Sequence, residues 1–206
     1  MMHDTTAGYV ENVKALVQQY ESVRFSDVHG SVLHLIPTVP SLVLDIGAGT
    51  GRDAGALAAL GHRVVAVEPV PVFRTKGAAL HPSPLIEWVD DTLPHLECLT
   101  GRRECFDVVM LTAVWMHLDR SQRQQAMSRI SALVRRGGVV IMSLRHGPAP
   151  AGRRMFEVSA GETIQLAQAE GWNLVLQLEH EGDLFGRPDV TWTRLGFSKQ
   201  GGGKAV

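Results

Sequence analysis

The 206-residue sequence contains only two cysteines, Cys98 and Cys105, and few aromatic residues. The cysteines flank a short basic loop and lack the spacing of metal ligands, so we expect reduced thiols and no disulfide. No apolar run is long enough to cross a bilayer, and no charged start followed by an apolar core marks a signal peptide. These absences predict a cytoplasmic location and no membrane partner.

Neither sign of charge is in excess, because 20 Lys and Arg residues are balanced by 21 Asp and Glu residues. The basic pairs at 135–136 and 153–154 are too short to form a phosphate-binding patch, which argues against a nucleic-acid partner. The sequence also lacks a His-Glu-x-x-His run and a Gly-x-Ser-x-Gly turn. Neither a metal site nor a serine hydrolase is therefore expected.

A buried strand that runs into a glycine-rich turn is the most informative feature present. Residues 42–46 have the apolar pattern of a strand buried on both faces, with Asp45 as its one acidic residue. Gly47, Gly49 and Gly51 follow, and they supply positive φ and remove side chains where a ligand approaches the backbone. A carboxylate at a buried strand end needs a polar partner, such as a ligand amine or backbone N–H groups. The segment therefore predicts binding of a nucleoside-bearing ligand.

A second acidic residue, Glu68, follows the next apolar strand, where it can accept hydrogen bonds from both hydroxyls of a ribose. Dinucleotide-binding proteins share this arrangement, but their fingerprint has a third glycine where this chain has Arg52. This difference weakens the alternative that the protein is a nicotinamide-dependent oxidoreductase.

Strand patterns alternate with helical segments along most of the chain. They lie at 42–46, 63–68, 84–89, 105–111, 138–144, 173–180 and 189–197. The alternation predicts an α/β fold, a three-layer αβα sandwich with a doubly wound, mostly parallel sheet. The last two strands are joined through a loop containing Gly182 with no helix between them, so one of them should run antiparallel.

One domain is expected over 1–206. Within it, 40–197 should form the core, 198–206 a flexible tail, and 1–36 a helical lid. The lid prediction depends on an amphipathic helix that the central sheet does not need. Its apolar face is formed by Val10, Val13, Leu16, Val17 and Tyr20.

The spacing Asp45-x-Gly47-x-Gly49-x-Gly51 resembles motif I of the class I S-adenosylmethionine-dependent methyltransferases, and later landmarks follow the order of that family up to residue 197. The resemblance implies a Rossmann-like methyltransferase fold with a seven-stranded sheet and one reversed strand. It also implies S-adenosylmethionine as cofactor and S-adenosylhomocysteine as product. In this family the acid of motif I contacts the methionine moiety.

The same resemblance implies roles for the acids that follow the second and third strands. Glu68 would bind the ribose. Of Asp90 and Asp91, one should receive the adenine amino group, and the other should cap the segment that begins at Thr92. The implied cofactor-binding residues are Asp45, Gly47, Ala48, Gly49, Gly51, Arg52, Glu68, Pro69, Asp90, Asp91, Thr92, Leu93, Thr112 and Ala113.

The loop after the fourth strand, at 112–115, lacks the Asn or Asp, the two prolines and the aromatic residue found in relatives that methylate nucleic-acid bases and amides. This departure favours a small-molecule acceptor, methylated on oxygen, nitrogen or sulfur.

His117 is the candidate catalytic base, with a packing role as the alternative. Arg145 would hold a carboxylate or phosphate of the acceptor. The candidate acceptor-binding residues are Trp115, His117, Arg145, His146 and Tyr20, and Trp115 has an ordinary core position as its alternative.

A second function class stays open beside the enzyme. A catalytically silent protein could bind S-adenosylmethionine or its product and serve as a regulatory or interaction module, because the binding motifs do not by themselves require turnover. A monomer and a homodimer are both compatible with the sequence.

Overall fold

Seven strands form one sheet, and six helices accompany it, in a computed structural model that describes residues 13–200. The strands are β1 Leu42–Ile46, β2 Arg63–Val67, β3 Ile86–Val89, β4 Phe106–Leu111, β5 Val134–His146, β6 Trp172–Gly182 and β7 Thr191–Lys199. The helices are α1 Val13–Glu21, α2 Phe25–His29, α3 Arg52–Ala59, α4 Pro71–Leu80, α5 Arg120–Leu133 and α6 Ala160–Ala169. Short 3₁₀ segments lie at Gly30–Leu35, Glu97–Leu99 and Trp115–His117.

The strand order is β3-β2-β1-β4-β5-β7-β6. The first five strands in this order pair in parallel, and β7 pairs antiparallel with both β5 and β6. The predicted doubly wound sheet with one reversed strand is therefore confirmed. The order reverses direction between β1 and β4, and in such sheets a crevice for ligands opens beyond the carboxyl ends of the strands.

Both faces of the sheet are covered, which explains why its strands lack an alternation of polar and apolar residues. Leu44 and Ile46 of β1 belong to a core on one face with Met127 and Ile130 of α5. The intervening Val43 belongs to the core of the opposite face, together with helix α3. Successive strand residues thus supply two separate hydrophobic cores.

Strand β5 exceeds its predicted length, and strand β7 begins and ends two residues later than predicted. Strand β5 begins at Val134, where the pairing with β4 shifts register after Phe106. Strand β7 continues to Lys199, whose ammonium donates to the carbonyl oxygens of Ser131 and Val134 at 2.6 and 2.7 Å. The predicted tail from residue 198 therefore starts inside a strand, and residues 201–206 lie outside the described part.

Packing divides the predicted lid into two parts. Val32 is fully buried and Ile36 nearly so, against the same core as α3, so the segment from 25 to 36 is an integral layer of the fold. Helix α1 instead places Leu16 against Val70 and Phe73, beside the ends of β2 and α4. Only α1 has the position expected of a lid, and Val10 lies outside the described residues.

Two expectations about the rest of the chain can also be compared with the structure. Cys98 and Cys105 are both exposed and unbridged. Among the helices of residues 13–200, none has the length and apolar character needed to span a membrane.

Candidate functional site

A cavity of ≈ 250 Å³ opens at the carboxyl ends of the strands, across the reversal between β1 and β4. Its wall includes most of the residues that the sequence analysis selected. They are Tyr20, Asp45, Gly47, Ala48, Gly49, Arg52, Glu68, Pro69, Asp91, Thr92, Leu93, Thr112, Ala113, His117 and Arg145. Gly51, Asp90, Trp115 and His146 do not line it.

The conformation of the glycine-rich turn is fixed by protein atoms that pack closely against it. Gly47 has φ +72°, and its amide donates to the carbonyl of Val67 at 2.8 Å. A Cβ there would lie 2.5 Å from the side chain of Val114. At Gly51, with φ +82°, a Cβ would lie 2.8 Å from the ring of Trp88. Glycine is required at both positions by backbone conformation and by neighbouring protein atoms. At Gly49, with φ +56°, only the backbone conformation favours it, because a Cβ would meet ordinary contacts.

Asp45 places a buried carboxylate in the cavity wall. It is 2% exposed, and its Oδ2 has no hydrogen-bond partner among the described residues. Burial, together with the charge of the nearby Asp53, raises the pKa of Asp45 well above its usual range. A buried acceptor atom of this kind is costly unless a donor reaches it. The cavity therefore provides a place for a cationic amine.

Asp53, in the first turn of α3, is held by three polar side chains. Its Oδ1 accepts from Arg52 Nε at 2.7 Å, and its Oδ2 bonds with His29 Nε2 at 2.8 Å and Thr112 Oγ1 at 3.2 Å. Although burial acts to raise it, the pKa of Asp53 is held far below its usual range by His29 and Arg52. Sequence reasoning missed this cluster, because nothing in the chain order links His29 to the glycine turn.

Glu68 connects the end of β2 to the glycine turn. Its carboxylate oxygens accept from the amides of Gly49 and Val70, each at 2.8 Å. Burial raises the pKa of Glu68 against the opposing effect of these two hydrogen bonds. Each oxygen can accept a further hydrogen bond, so the anchored carboxylate is suited to a pair of ligand hydroxyls.

Asp90 and Asp91, between which the capping and ligand-binding roles were left open, have different surroundings. Asp91 accepts from the amides of Thr92 and Cys98, each at 2.8 Å, and lines the cavity, but no helix begins at Thr92. Asp90 pairs with Arg74 at 2.5 Å and does not line the cavity. The backbone turn after β3 directs the two neighbouring carboxylates to different surroundings.

His117 lines the other side of the cavity, at the end of the 3₁₀ turn after β4. Its Nδ1 lies 2.9 Å from the carbonyl oxygen of Arg154, so Nδ1 carries the proton and Nε2 the lone pair in the neutral ring. Burial lowers the pKa of His117, and the charges of Arg153 and Arg145 act in the same direction. The imidazole is thus held in the tautomer and charge state of a general base.

Two predicted acceptor-binding residues are corrected by the structure. Trp115 is fully buried in the core, where its Nε1 donates to Thr163 Oγ1 at 3.2 Å. His146 bonds through Nε2 with Thr193 Oγ1 at 2.8 Å and lines a second cavity, which shares Met116, Arg145 and Met155 with the first. His146 follows Arg145 in a strand, and neighbouring strand residues point to opposite faces.

Three further arginines line the cavity and were not selected from the sequence. Arg153 follows β5, and Arg187 and Arg194 belong to the hairpin formed by β6 and β7. Arg187 pairs with Asp183 at 2.6 Å. The position of this hairpin beside β5 brings these residues to the cavity, and no local motif marks them.

Comparisons with known proteins agree with the geometry. Residues 44–142 match the family model described as a methyltransferase domain. A protein named uncharacterized methyltransferase, from Alkaliphilus oremlandii, is 24% identical over 108 residues, which cover 50% of this chain and 44% of that protein. The chain thus matches less than half the length of this curated relative.

Solved structures share the fold at low sequence identity. A 1,6-didemethyltoxoflavin-N1-methyltransferase from Burkholderia thailandensis, with bound 1,6-didemethyltoxoflavin and S-adenosylhomocysteine, gives a TM-score of 0.64 at 21% identity, covering 94% of this chain and 91% of that one. A TehB-like SAM-dependent methyltransferase from Corynebacterium glutamicum gives 0.66 at 20% identity, covering 93% and 96%. The N-methyltransferase NodS from Bradyrhizobium japonicum gives 0.65 at 18% identity, covering 84% and 95%.

Proposed function

The chain belongs to the class I S-adenosylmethionine-dependent methyltransferases, and from this premise we propose that it transfers a methyl group from that cofactor to a small-molecule acceptor. The observation that carries the proposal is the buried Oδ2 of Asp45 in the cavity wall, which has no hydrogen-bond partner within residues 13–200. A protein with no ligand there would leave a desolvated carboxylate oxygen without compensation.

The residues of the wall fit the cofactor part by part. Asp45 would hold its amino group, and the anchored carboxylate of Glu68 would bind the ribose hydroxyls. Thr92 and Leu93 line the wall beyond β3, where the base would lie. When bound, S-adenosylmethionine supplies an electrophilic methyl group. The protein's contribution is mainly positioning, which can lower a barrier by about 7–11 kcal/mol.

His117 would take the proton from an acceptor that must lose one on methylation. Its Nε2 lone pair and lowered pKa are suited to that task near neutral pH. An acceptor that is already ionised would need no base, so oxygen, nitrogen and sulfur acceptors are all compatible. The Burkholderia neighbour holds a small molecule and is named for methylation at nitrogen, which supports a small-molecule acceptor for this chain.

Calorimetry with S-adenosylhomocysteine and with NAD tests the cofactor assignment. We expect S-adenosylhomocysteine to bind and NAD to bind far more weakly. Only ionised Asp45 attracts an ammonium group, so affinity should fall as the pH is lowered through the raised pKa of Asp45. Asp45→Asn should bind more weakly and lose this pH dependence, and tighter binding of NAD would contradict the proposal.

Turnover separates an enzyme from a silent binding protein. The purified protein is incubated with S-adenosylmethionine and a metabolite extract, and S-adenosylhomocysteine is measured against an extract-free control. Release of S-adenosylhomocysteine that depends on the extract supports the proposed methyltransferase activity. Tight binding of S-adenosylmethionine and S-adenosylhomocysteine, with no turnover in extracts from several growth conditions, would instead favour a regulatory or interaction module.

A further inference from the structure

The charged residues of the cavity wall are divided according to the strands that carry them. Most carboxylates line the part formed by β1, α3, β2 and the segment after β3, where Arg52 is paired with Asp53. Most guanidinium groups line the part formed by β5, its following loop and the β6–β7 hairpin, where Asp183 is paired with Arg187. The carboxylates belong to Asp45, Asp53, Glu68 and Asp91, and the guanidinium groups to Arg145, Arg153, Arg187 and Arg194.

Two carboxylates accompany the hairpin arginines. Asp183 accepts two hydrogen bonds from Arg187, at 2.9 and 2.6 Å, and one from Trp192 Nε1 at 3.1 Å. Glu181 accepts from Arg194 Nε at 2.8 Å. These pairs hold the hairpin in shape.

Arg145 and Arg153 both act on the half-buried ring of His117. Both contribute a positive field at His117, which acts to lower the pKa of its ring. Arg153 also lies beside the hydroxyl of Tyr20 and opposes the rise in the pKa of that hydroxyl caused by burial. Arg145 is only 8% exposed. Because the Arg145 side chain is largely shielded from water, its positive field is stronger than that of an arginine at the protein surface.

We propose that the methyl acceptor carries an anionic group, a carboxylate or a phosphate, and that this group binds between Arg145 and Arg153. The planar guanidinium group recognises both anions through paired hydrogen bonds. The atom to be methylated would then lie towards His117 and the cofactor part of the cavity. This inference rests on the proposed function, because it assigns the acceptor of the same site.

Binding of simple anions to the cofactor-loaded protein tests the inference without a known substrate. The ¹⁵N-labelled protein is saturated with S-adenosylhomocysteine and titrated with benzoate, phenyl phosphate or neutral benzamide at constant ionic strength. We expect benzoate or phenyl phosphate to bind at least about tenfold more tightly than benzamide, because each gains charge-assisted hydrogen bonds. The tighter of the two anions identifies the charged group as carboxylate or phosphate.

Matched variants locate the anion. Arg145→Gln and the less buried Arg153→Gln should each weaken anion binding about tenfold or more, whereas Arg136→Gln, an exposed control on the same strand as Arg145, should not. Arg145→Lys keeps the charge and should retain part of the affinity if Arg145→Gln is poorly folded.

Two failures can be told apart. A protein that does not bind S-adenosylhomocysteine would contradict the proposed function itself. If the protein binds S-adenosylhomocysteine but binds benzamide as tightly as both anions, only the inference is overturned. The same holds if Arg136→Gln weakens anion binding as much as Arg145→Gln and Arg153→Gln do.

Discussion

The two sides of the cavity hold their charged side chains in different ways. On the carboxylate side, Glu68 is anchored by amides of the glycine turn and of its own loop, and Asp53 by Arg52 and His29. On the arginine side, Arg145 lies near the end of β5 and Arg153 in the loop that follows it, and both act on His117 from the turn after β4. The first side is built around one local turn, whereas the second depends on the meeting of distant segments.

The difference suggests how each side contributes to function. Anchored carboxylates lose little conformational freedom when a ligand binds, so the carboxylate side is preorganised for a ligand of constant shape. The planar guanidinium groups offer paired hydrogen-bond donors, which suits an acceptor that is recognised mainly by an anionic group. The following predictions test this comparison.

Asp53→Ala should produce the largest loss of stability. It removes the shared acceptor of buried His29 and Arg52, and breaking a buried pair of this kind costs about 3–5 kcal/mol. Urea denaturation measures the free energy of unfolding. Asp27→Ala removes the exposed partner of Arg24 and serves as control, with no measurable change expected. Equal losses in the two variants would show that the Asp53 cluster does not stabilise the carboxylate side.

His117→Ala should lower kcat about 10²–10⁴-fold for an acceptor that must lose a proton, because it removes the general base. Affinity for S-adenosylhomocysteine should stay the same. Arg145→Ala should mainly raise KM, because it removes binding of the acceptor. His146→Ala is the matched histidine control and should leave kcat unchanged, since this ring does not line the cavity that contains His117 and bonds instead with Thr193.

The pH dependence of kcat gives an independent check on His117. Because its pKa is lowered, the neutral ring persists below the usual histidine value of about 6.5, so kcat should fall only at lower pH. His117→Ala should abolish this acidic limb. Full turnover with an unchanged pH profile in the variant would remove His117 from the mechanism.

Glu68→Ala should weaken binding of S-adenosylhomocysteine by about 1.5–3 kcal/mol, because it removes charge-assisted hydrogen bonds to the ribose and leaves the Gly49 and Val70 amides without their acceptor. Calorimetry at constant pH measures the change. Arg145→Ala, from the opposite side, should leave this affinity unchanged. Similar losses in both variants would mean that the cofactor contacts both sides.

The smallest effect is expected in helix α1. Its amides should become more protected from hydrogen exchange when S-adenosylhomocysteine is added, because Tyr20 lines the cavity and Leu16 packs beside it. The segment Gly30–Leu35 is the internal control, since Val32 is already fully buried in the core. Unchanged exchange in α1 would identify it as a fixed packing element.

Features that depend on neighbouring residues were predictable from the sequence. The glycine turn, its flanking acids and the seven strands follow from local patterns of apolar residues and turn formers. The predictions were wrong for residues whose contact with the cavity depends on the direction in which the side chain points. Within the turn Trp115–His117, Trp115 enters the core while His117 lines the cavity. Arg145 and His146 are separated in the same way by the alternation of a strand.

The sequence by itself determined the fold class, the cofactor turn and the positions of Asp45 and Glu68 at strand ends, because each is encoded within a few consecutive residues. Only the tertiary structure decided that His29 reaches Asp53, that Asp90 turns away to Arg74, and that arginines from β5, its loop and the β6–β7 hairpin share one cavity wall. Contacts of this second kind join segments far apart along the chain. They depend on strand order and side-chain direction, which become defined only when the sheet is assembled.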